Sequence, residues 1–257
     1  MEKGKIFVIE GTDGSGKQTQ TKKLVEYLKS IGKNVITQSF PNYDSPSSMP
    51  VKMYLSGEFG DNANCINAYQ SSVLFAVDRF CTLKKLEKDI NDGTYIVFDR
   101  YVSSNMLHQA CKIENAEERI KFLNWLDDFE HNLMELPRPT QIFFLDVPPK
   151  KSIELAHARG ELKAGTKKDI HESDEQYLIN SYNTGKEICK MYGWTVVDCI
   201  DEQNNLKSIE EISSEIISKL DIWYYINLNG TLLPFFVEMP RHFVALHDSI
   251  VCIAKKE

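Results

Sequence analysis

The sequence predicts an α/β fold in three layers: a five-stranded parallel sheet with helices on both faces. Three observations carry that expectation. Five short runs are almost continuously apolar and rich in Ile, Val and Phe, the pattern of parallel strands covered on both sides. Longer stretches with helical patterning lie between them, and strand–helix alternation of this kind builds a sheet sandwiched by helices. The chain has 257 residues, enough to bury one sizeable core.

The strands fall at 5–10, 34–38, 95–99, 141–147 and 194–198. Helices are expected at 17–31, 66–92, 115–131, 149–160, 170–192 and 207–220. Leu24, Val25, Leu28 and Ile31 give the first helix an apolar stripe. Two segments depart from the alternation. The stretch 160–173 has two glycines and a polar run between two helices, so it reads as a mobile loop. Residues 221–257 hold six aromatics, two prolines and little periodicity, and the sheet does not require them. The expected division is therefore a domain over 1–220 and a C-terminal extension over 221–257. Packing on its own subunit is expected for the extension, because six exposed aromatics favour aggregation.

Composition excludes several classes. With 42% apolar residues, 26% charged residues and a net charge of −7, the chain is neither collagen-like nor low-complexity nor disordered. An acidic balance also argues against binding nucleic-acid polymers, which takes a basic surface. A small anion needs only a few local cations. The six cysteines form no Cys-x-x-Cys pair, which excludes a regular metal cluster or disulfide framework and suits buried thiols in a reducing cytoplasm. Residues 1–11 do not read as a secretory signal. The uncharged stretch between Asp221 and Glu238 contains Asn227, Asn229, Gly230 and Pro234 and is a poor membrane span.

The first strand runs directly into Gly11-Thr12-Asp13-Gly14-Ser15-Gly16-Lys17, followed by a helix. This is a phosphate-binding loop in its strand–loop–helix context. Glycines let backbone N–H groups converge on phosphate oxygens, and the helix N-terminus adds positive potential. Lys17 would reach the β- and γ-phosphates. The residue after that lysine is normally Ser or Thr, a Mg²⁺ ligand, whereas here it is Gln18, with Thr19 adjacent; an amide oxygen can also ligate a hard cation. Asp99 ends a buried strand, where it faces the phosphate loop and can organise metal-bound water. A strand-end Asp can also cap the next helix.

Further motifs follow in order: Phe40-Pro41-Asn42-Tyr43, Leu74-Phe75-Ala76-Val77-Asp78-Arg79, Asp99-Arg100-Tyr101 with Ser104-Asn105, Leu145-Asp146-Val147-Pro148-Pro149, and Asp169-Ile170-His171-Glu172. Together with the phosphate loop, this set resembles the thymidylate kinases, a family of nucleoside-monophosphate kinases. The resemblance covers residues 5 to about 220. It implies the P-loop kinase fold with 160–173 as a lid over ATP, and it implies a homodimer.

It also implies roles at matching positions. Gly11, Asp13, Gly14, Ser15, Gly16, Lys17, Gln18, Thr19 and Arg159 would bind ATP. Phe75 would stack on thymine, Arg79 would bond its O4 edge, and Asn105 would read N3 beside Gln109. Asp13 would hold the sugar 3′-hydroxyl. Phe40, Pro41 and Tyr43 would line the acceptor site, with Tyr43 and Arg100 on its phosphate. His108, His171 and Glu172 would approach the substrate, both histidines near the sugar's 2′ edge. One branch of the family carries a catalytic arginine in the phosphate loop, at the place of Gly14. With glycine there, the resemblance points to the other branch, in which lid cations supply the charge: Arg159, Lys163, Lys167 or Lys168, with Lys167 and Lys168 favoured as catalytic. Asn42 stands where many relatives have arginine.

The residues make physical sense by themselves. An aromatic face such as Phe75 can stack on a base, although Phe is equally at home in a core. Arg79 lies four residues on and shares its helical face. Asn105 offers both a donor and an acceptor. His108 suits a helix face as well as a ligand. The expected reaction transfers the γ-phosphoryl of ATP to dTMP with Mg²⁺, by alignment and charge neutralisation. Another monophosphate kinase, acting on dUMP or a purine nucleotide, stays open, as does a non-catalytic nucleotide-binding protein, motivated by Gln18 and Asn42. A deoxynucleoside kinase would place an acid after the second strand, where this chain has Gln38-Ser39-Phe40-Pro41.

Overall fold

A computed structural model describes residues 3–162, 174–221, 224–227, 232–234, 246–247 and 250–251. The chain divides into two units, Met1–Ser218 and Lys219–Glu257. In the first, the apolar runs form the sheet: β1 (Ile6–Glu10), β2 (Val35–Ser39), β3 (Tyr95–Asp99), β4 (Gln141–Asp146) and β5 (Thr195–Asp198). All pair in parallel, in the order β2-β3-β1-β4-β5. β1 is central and every residue of it is buried, as its unbroken apolar run requires. In register, Ile9 faces Asp99 on one side and Phe143 on the other. The chain leaves β1 toward β2 and leaves β4 toward β5, in opposite directions. A crevice therefore opens beyond the carboxyl ends of β1 and β4.

The helices are α1 (Lys17–Ser30), α2 (Met49–Leu55), α3 (Ala68–Asn91), α4 (Val102–His108), α5 (Ala116–Asp127), α6 (Pro149–Leu162), α7 (Glu175–Tyr192) and α8 (Ile209–Ser218). A capping box between Asn67 and Gln70 starts α3. Across the domain, the Gln20 side chain donates to the Ile209 carbonyl at 3.1 Å and Lys23 pairs with Glu210 at 3.2 Å, tying α1 to α8. Among the described residues, no helix is long and apolar enough to cross a membrane.

Several boundaries differ from the sequence pattern. The helix expected over 115–131 is regular only to Asp127 and continues as a π-helical turn, Asp128–Leu133; Met134 N donates five residues back to Phe129 O at 3.0 Å. α6 runs to Leu162, so the first residues of the expected loop are helical, and the rest of it lies outside the described residues. α7 begins at Glu175 behind Asp174, whose carboxylate accepts from Tyr177 N at 2.9 Å. Two helices had no sequence expectation. α2 has seven residues, too few to display a period. α4 is buried at every position but Ser104, so it has no polar face to alternate with.

In the second unit, β6 (Tyr224–Asn227), β7 (Leu232–Pro234), β8 (Leu246–His247) and β9 (Ile250–Val251) form an antiparallel sheet in the order β7-β6-β9-β8. These strands have two to four residues each, too short for alternation to register in the sequence.

Candidate active site

The crevice holds the phosphate loop. Gly14 sits there at φ +82°, and a Cβ on it would lie 2.0 Å from the Ser152 carbonyl oxygen of α6. That collision with backbone means an arginine cannot replace Gly14 without moving α6. Gly16 caps α1 in a left-handed conformation. Lys17 Nζ donates to the Thr12 carbonyl at 2.8 Å and lies 4.0 Å from Asp13 Oδ1. Burial, then the neighbouring Arg100, pushes the Lys17 amine down to about 8, against the opposing pull of Asp13, Asp99 and Glu10.

Arg100 follows β3 with φ +70°, a conformation that turns its side chain across the loop. It donates to Asp13 Oδ1 at 2.6 Å and Ser104 Oγ at 3.3 Å, and its Nη1 lies 2.9 Å from His108 Nε2. A guanidinium only donates, so His108 accepts through Nε2 and carries its proton on Nδ1. Burial would lower the Arg100 guanidinium, but Asp13, Glu10 and Asp99 hold it above its ordinary value. Glu10, fully buried at the end of β1, accepts from Gly11 N at 3.0 Å, Ser103 Oγ at 2.7 Å and Ser104 Oγ at 2.8 Å, and lies 3.7 Å from Arg100.

At the other end, Phe75 meets the Tyr54 ring edge-on at 6.3 Å and packs with Val51 and Leu55. Arg79, only 1% exposed, makes a bidentate pair with Glu130 at 2.6 Å per bond. Its Nε and one Nη2 hydrogen go to Glu130, and the remaining donors are what it can offer a ligand such as the expected base edge. Asn105 Nδ2 donates to Ser72 O and Glu130 Oε1, each at 3.2 Å. Gln109 Oε1 accepts from Ser71 Oγ at 2.6 Å. Asn42 turns toward α3, its amide on Thr82 Oγ1 at 3.1 Å.

One cavity of about 300 Å³ joins the two ends. Its walls include Asp13, Gly14, Gly16, Lys17 and Gln18 from the loop, and Phe40, Pro41 and Tyr43 after β2. Phe75 and Arg79 of α3 line it, together with Asp99, Arg100, Asn105, His108 and Gln109. Gly11 and Ser15 are buried within the loop, and Thr19 lies on the first turn of α1 away from the cavity walls. Arg159 is on α6, with its side chain outside the description. Lys163, Lys167, Lys168, His171 and Glu172 lie outside the described residues.

The formal charges of Glu10, Asp13 and Asp99 exceed those of Lys17 and Arg100, so an entering polyphosphate needs further cations. Among the described residues, no three or more His, Cys, Asp or Glu side chains gather to cage a metal. Gln18 and Asp99 share the cavity, and Mg²⁺ is commonly held by one or two protein oxygens with phosphates and waters completing the shell. Thr12 Oγ1 and Ser15 Oγ are buried hydroxyls without a hydrogen-bond partner among the described residues. This sparse oxygen set fits Mg²⁺ brought in with a nucleotide.

The family model described as thymidylate kinase matches residues 9–215. The chain belongs to the thymidylate kinase family. The thymidylate kinase of Mycobacterium tuberculosis (strain H37Rv) is 30% identical over 173 residues, covering 66% of this chain and 79% of that protein. The probable thymidylate kinase of Pyrococcus horikoshii is 30% identical over 217 residues, 84% of this chain and 95% of that protein. A solved thymidylate kinase from Candida albicans superposes with a TM-score of 0.62 at 21% identity, covering 84% of this chain and 90% of that one, which supports the fold. In this thymidylate kinase family member, two buried carboxylates escaped the sequence reading. Glu10 directly precedes the phosphate loop, a position that could have flagged it, as strand-end placement did for Asp99. Glu130 sits in the acidic stretch Asp127-Asp128-Phe129-Glu130, which reads as a solvated helix end.

Proposed function

We propose that this chain transfers the γ-phosphoryl group of ATP to the phosphate of dTMP, giving ADP and dTDP. The observation that carries the reading is the single cavity joining a phosphate loop and its lysine to a base-sized end with Phe75, Arg79 and Asn105. Arg100 stands between the two ends, where the phosphates of donor and acceptor would meet. The acceptor phosphate is largely ionised at neutral pH, so alignment and neutralisation dominate over general-base help.

Each residue has a part in that scheme. Lys17 exchanges its Thr12 carbonyl for the terminal phosphates of ATP. Asp13 and His108 hold Arg100 rigidly on the acceptor phosphate, and Tyr43 closes the same side. Phe75 supplies a stacking face, worth about 1–3 kcal/mol per base in stacking systems. Gln18, and Asp99 through water, would hold Mg²⁺, which would supply charge neutralisation at the phosphate oxygens. Arg159, Lys167 and Lys168 are proposed to bring the remaining positive charge from the lid. The extension 221–257 is proposed to be an appendage outside this chemistry. A homodimer follows from the family resemblance, and the free state of the described cysteines agrees with a cytoplasmic setting.

The test offers dTMP, dUMP, UMP, dGMP and thymidine to the purified chain with ATP and Mg²⁺ while ADP release is followed. Turnover of about 1–100 s⁻¹ is expected on dTMP, with the other acceptors slower. Absence of turnover on dTMP with ATP binding intact would overturn the proposal. Lys17 adds a pH signature. Its amine titrates near 8 in the free protein, and a bound polyphosphate restores the charged form. ADP binding at pH 8 should take up about half a proton, rising toward one at higher pH, and its affinity should fall about tenfold per pH unit above that value. Calorimetry in buffers of different ionisation enthalpy reads the uptake. Lys17→Met should abolish it, whereas Lys112→Met, which removes a second amine lowered to about 8 by burial, should leave it in place.

A further inference from the structure

We propose that Glu130 is a positioning residue that sets the base selectivity of the acceptor site; this rests on the dTMP reading above. Its place in the chain is unusual. Glu130 belongs to the π-helical turn Asp128–Leu133, and such turns often occur at functional sites. Its own carbonyl is occupied by Leu136 N at 2.9 Å. The carboxylate is completely buried and divides its bonds between the two side chains that end the cavity. Oε2 accepts from Arg79 Nε, and Oε1 accepts from Arg79 Nη2 and Asn105 Nδ2.

The consequence lies in which atoms are left over. Both amide hydrogens of Asn105 are consumed, one by Glu130 and one by the Ser72 carbonyl. Each of those partners can only accept, so the amide cannot turn over. Asn105 therefore meets a ligand with its carbonyl oxygen, an acceptor. Arg79 lies beside it, held by Glu130 and by the Tyr101 carbonyl at 3.4 Å, and it has only donors to give. The cavity end thus presents one acceptor next to donors. Thymine and uracil match that order with an N3–H beside the O4 carbonyl. Cytosine inverts both positions, with a bare N3 beside an amino group. Glu130 rejects cytosine without touching the base, by locking the orientation of the two groups that do.

The experiment compares kcat/KM for dTMP and dCMP in the full-length protein, Glu130→Gln and Glu130→Asp, with thermal melts and the KM for ATP as controls. A Gln amide can donate to Asn105 and release it to flip, so the dTMP/dCMP ratio should fall at least tenfold in Glu130→Gln. The change should appear mainly in the KM for dTMP, with kcat and the KM for ATP little altered, because Lys17 and Arg100 are untouched. Glu130→Asp keeps the charge and should retain more of the ratio. Parallel loss of both substrates with an unchanged ratio would mark Glu130 as merely structural and overturn the proposal. The unmodified protein provides a further arm should the variants fail to fold. It should bind dCMP at least about 10³-fold more weakly than dTMP, and comparable binding overturns the inference. Failure on every nucleotide monophosphate would instead count against the kinase reading itself.

Discussion

Replacing Lys17 with Met is expected to lower kcat for dTMP phosphorylation by about 10³-fold or more, with no loss of thermal stability at pH 7. The two halves of that result have one cause. Lys17 is 7% exposed and sits beside Arg100, so its environment favours the neutral amine and its pKa falls from 10.5 to about 8. Below that value it is charged in both folded and unfolded chains, and burying the charge costs up to about 3 kcal/mol. The cost shrinks as pH rises from the folded pKa toward 10.5, where both states become neutral. Met removes it, so the variant should gain stability most clearly below pH 8 and progressively less above. The catalytic loss follows because the same desolvated charge is what a transferring phosphoryl group meets. Steady-state kinetics at pH 7 with melts at pH 7 and pH 9.5 check both halves.

Gly14→Ala is expected to destabilise the kinase domain by about 3 kcal/mol and lower its melting temperature by about 6–12 °C, with ATP affinity reduced at least tenfold. The left-handed backbone at φ +82° accounts for part of this. The larger part is the methyl group aimed at the Ser152 carbonyl oxygen, 2.0 Å away, a backbone atom that cannot step aside without displacing α6. Gly32→Ala isolates the two contributions, because Gly32 has φ +79° but nothing within 4 Å of an added Cβ. That control should lose only about 1–2 kcal/mol. Differential scanning fluorimetry of both variants, with ATP calorimetry on Gly14→Ala, reads the difference. The tight loop–α6 contact leaves no room for a side chain at position 14 to bring charge to the γ-phosphoryl.

The sheet was readable because burial on both faces leaves its signature residue by residue, as in Ile6-Phe7-Val8-Ile9. The phosphate loop was readable because its glycines and lysine are spaced by the ligand they serve. Elements without either signature stayed silent. α4 is buried nearly all round and carries no stripe, while β6–β9 are too short to alternate. In sequence, Asn229-Gly230 lies between the residues of β6 and β7, and that dipeptide favours hairpins. In the site, Arg79 could be linked to Phe75 by their four-residue spacing. Its pairing with Glu130, 51 residues away, could not, because a carboxylate in an acidic stretch announces solvent until packing buries it. Glu10 differs, since the strand end before a phosphate loop was a position already known to matter for Asp99.

The tie between α1 and α8 bears on the order in which the protein is made. Gln20 and Ile209 are 189 residues apart in sequence, and β1 finds its two neighbours only when β3 and β4 have followed it. Domains emerge from the ribosome amino-terminus first, so the phosphate loop is translated ahead of β3, β4 and α8. Its supporting strands arrive later, and the helix that fastens α1 follows all five strands of the parallel sheet. A nascent chain halted before residue 209 therefore carries the loop and the strands beside it but lacks the helix that fastens α1. The support of the loop is therefore complete only once α8 has been made, long after the segment that carries its signature.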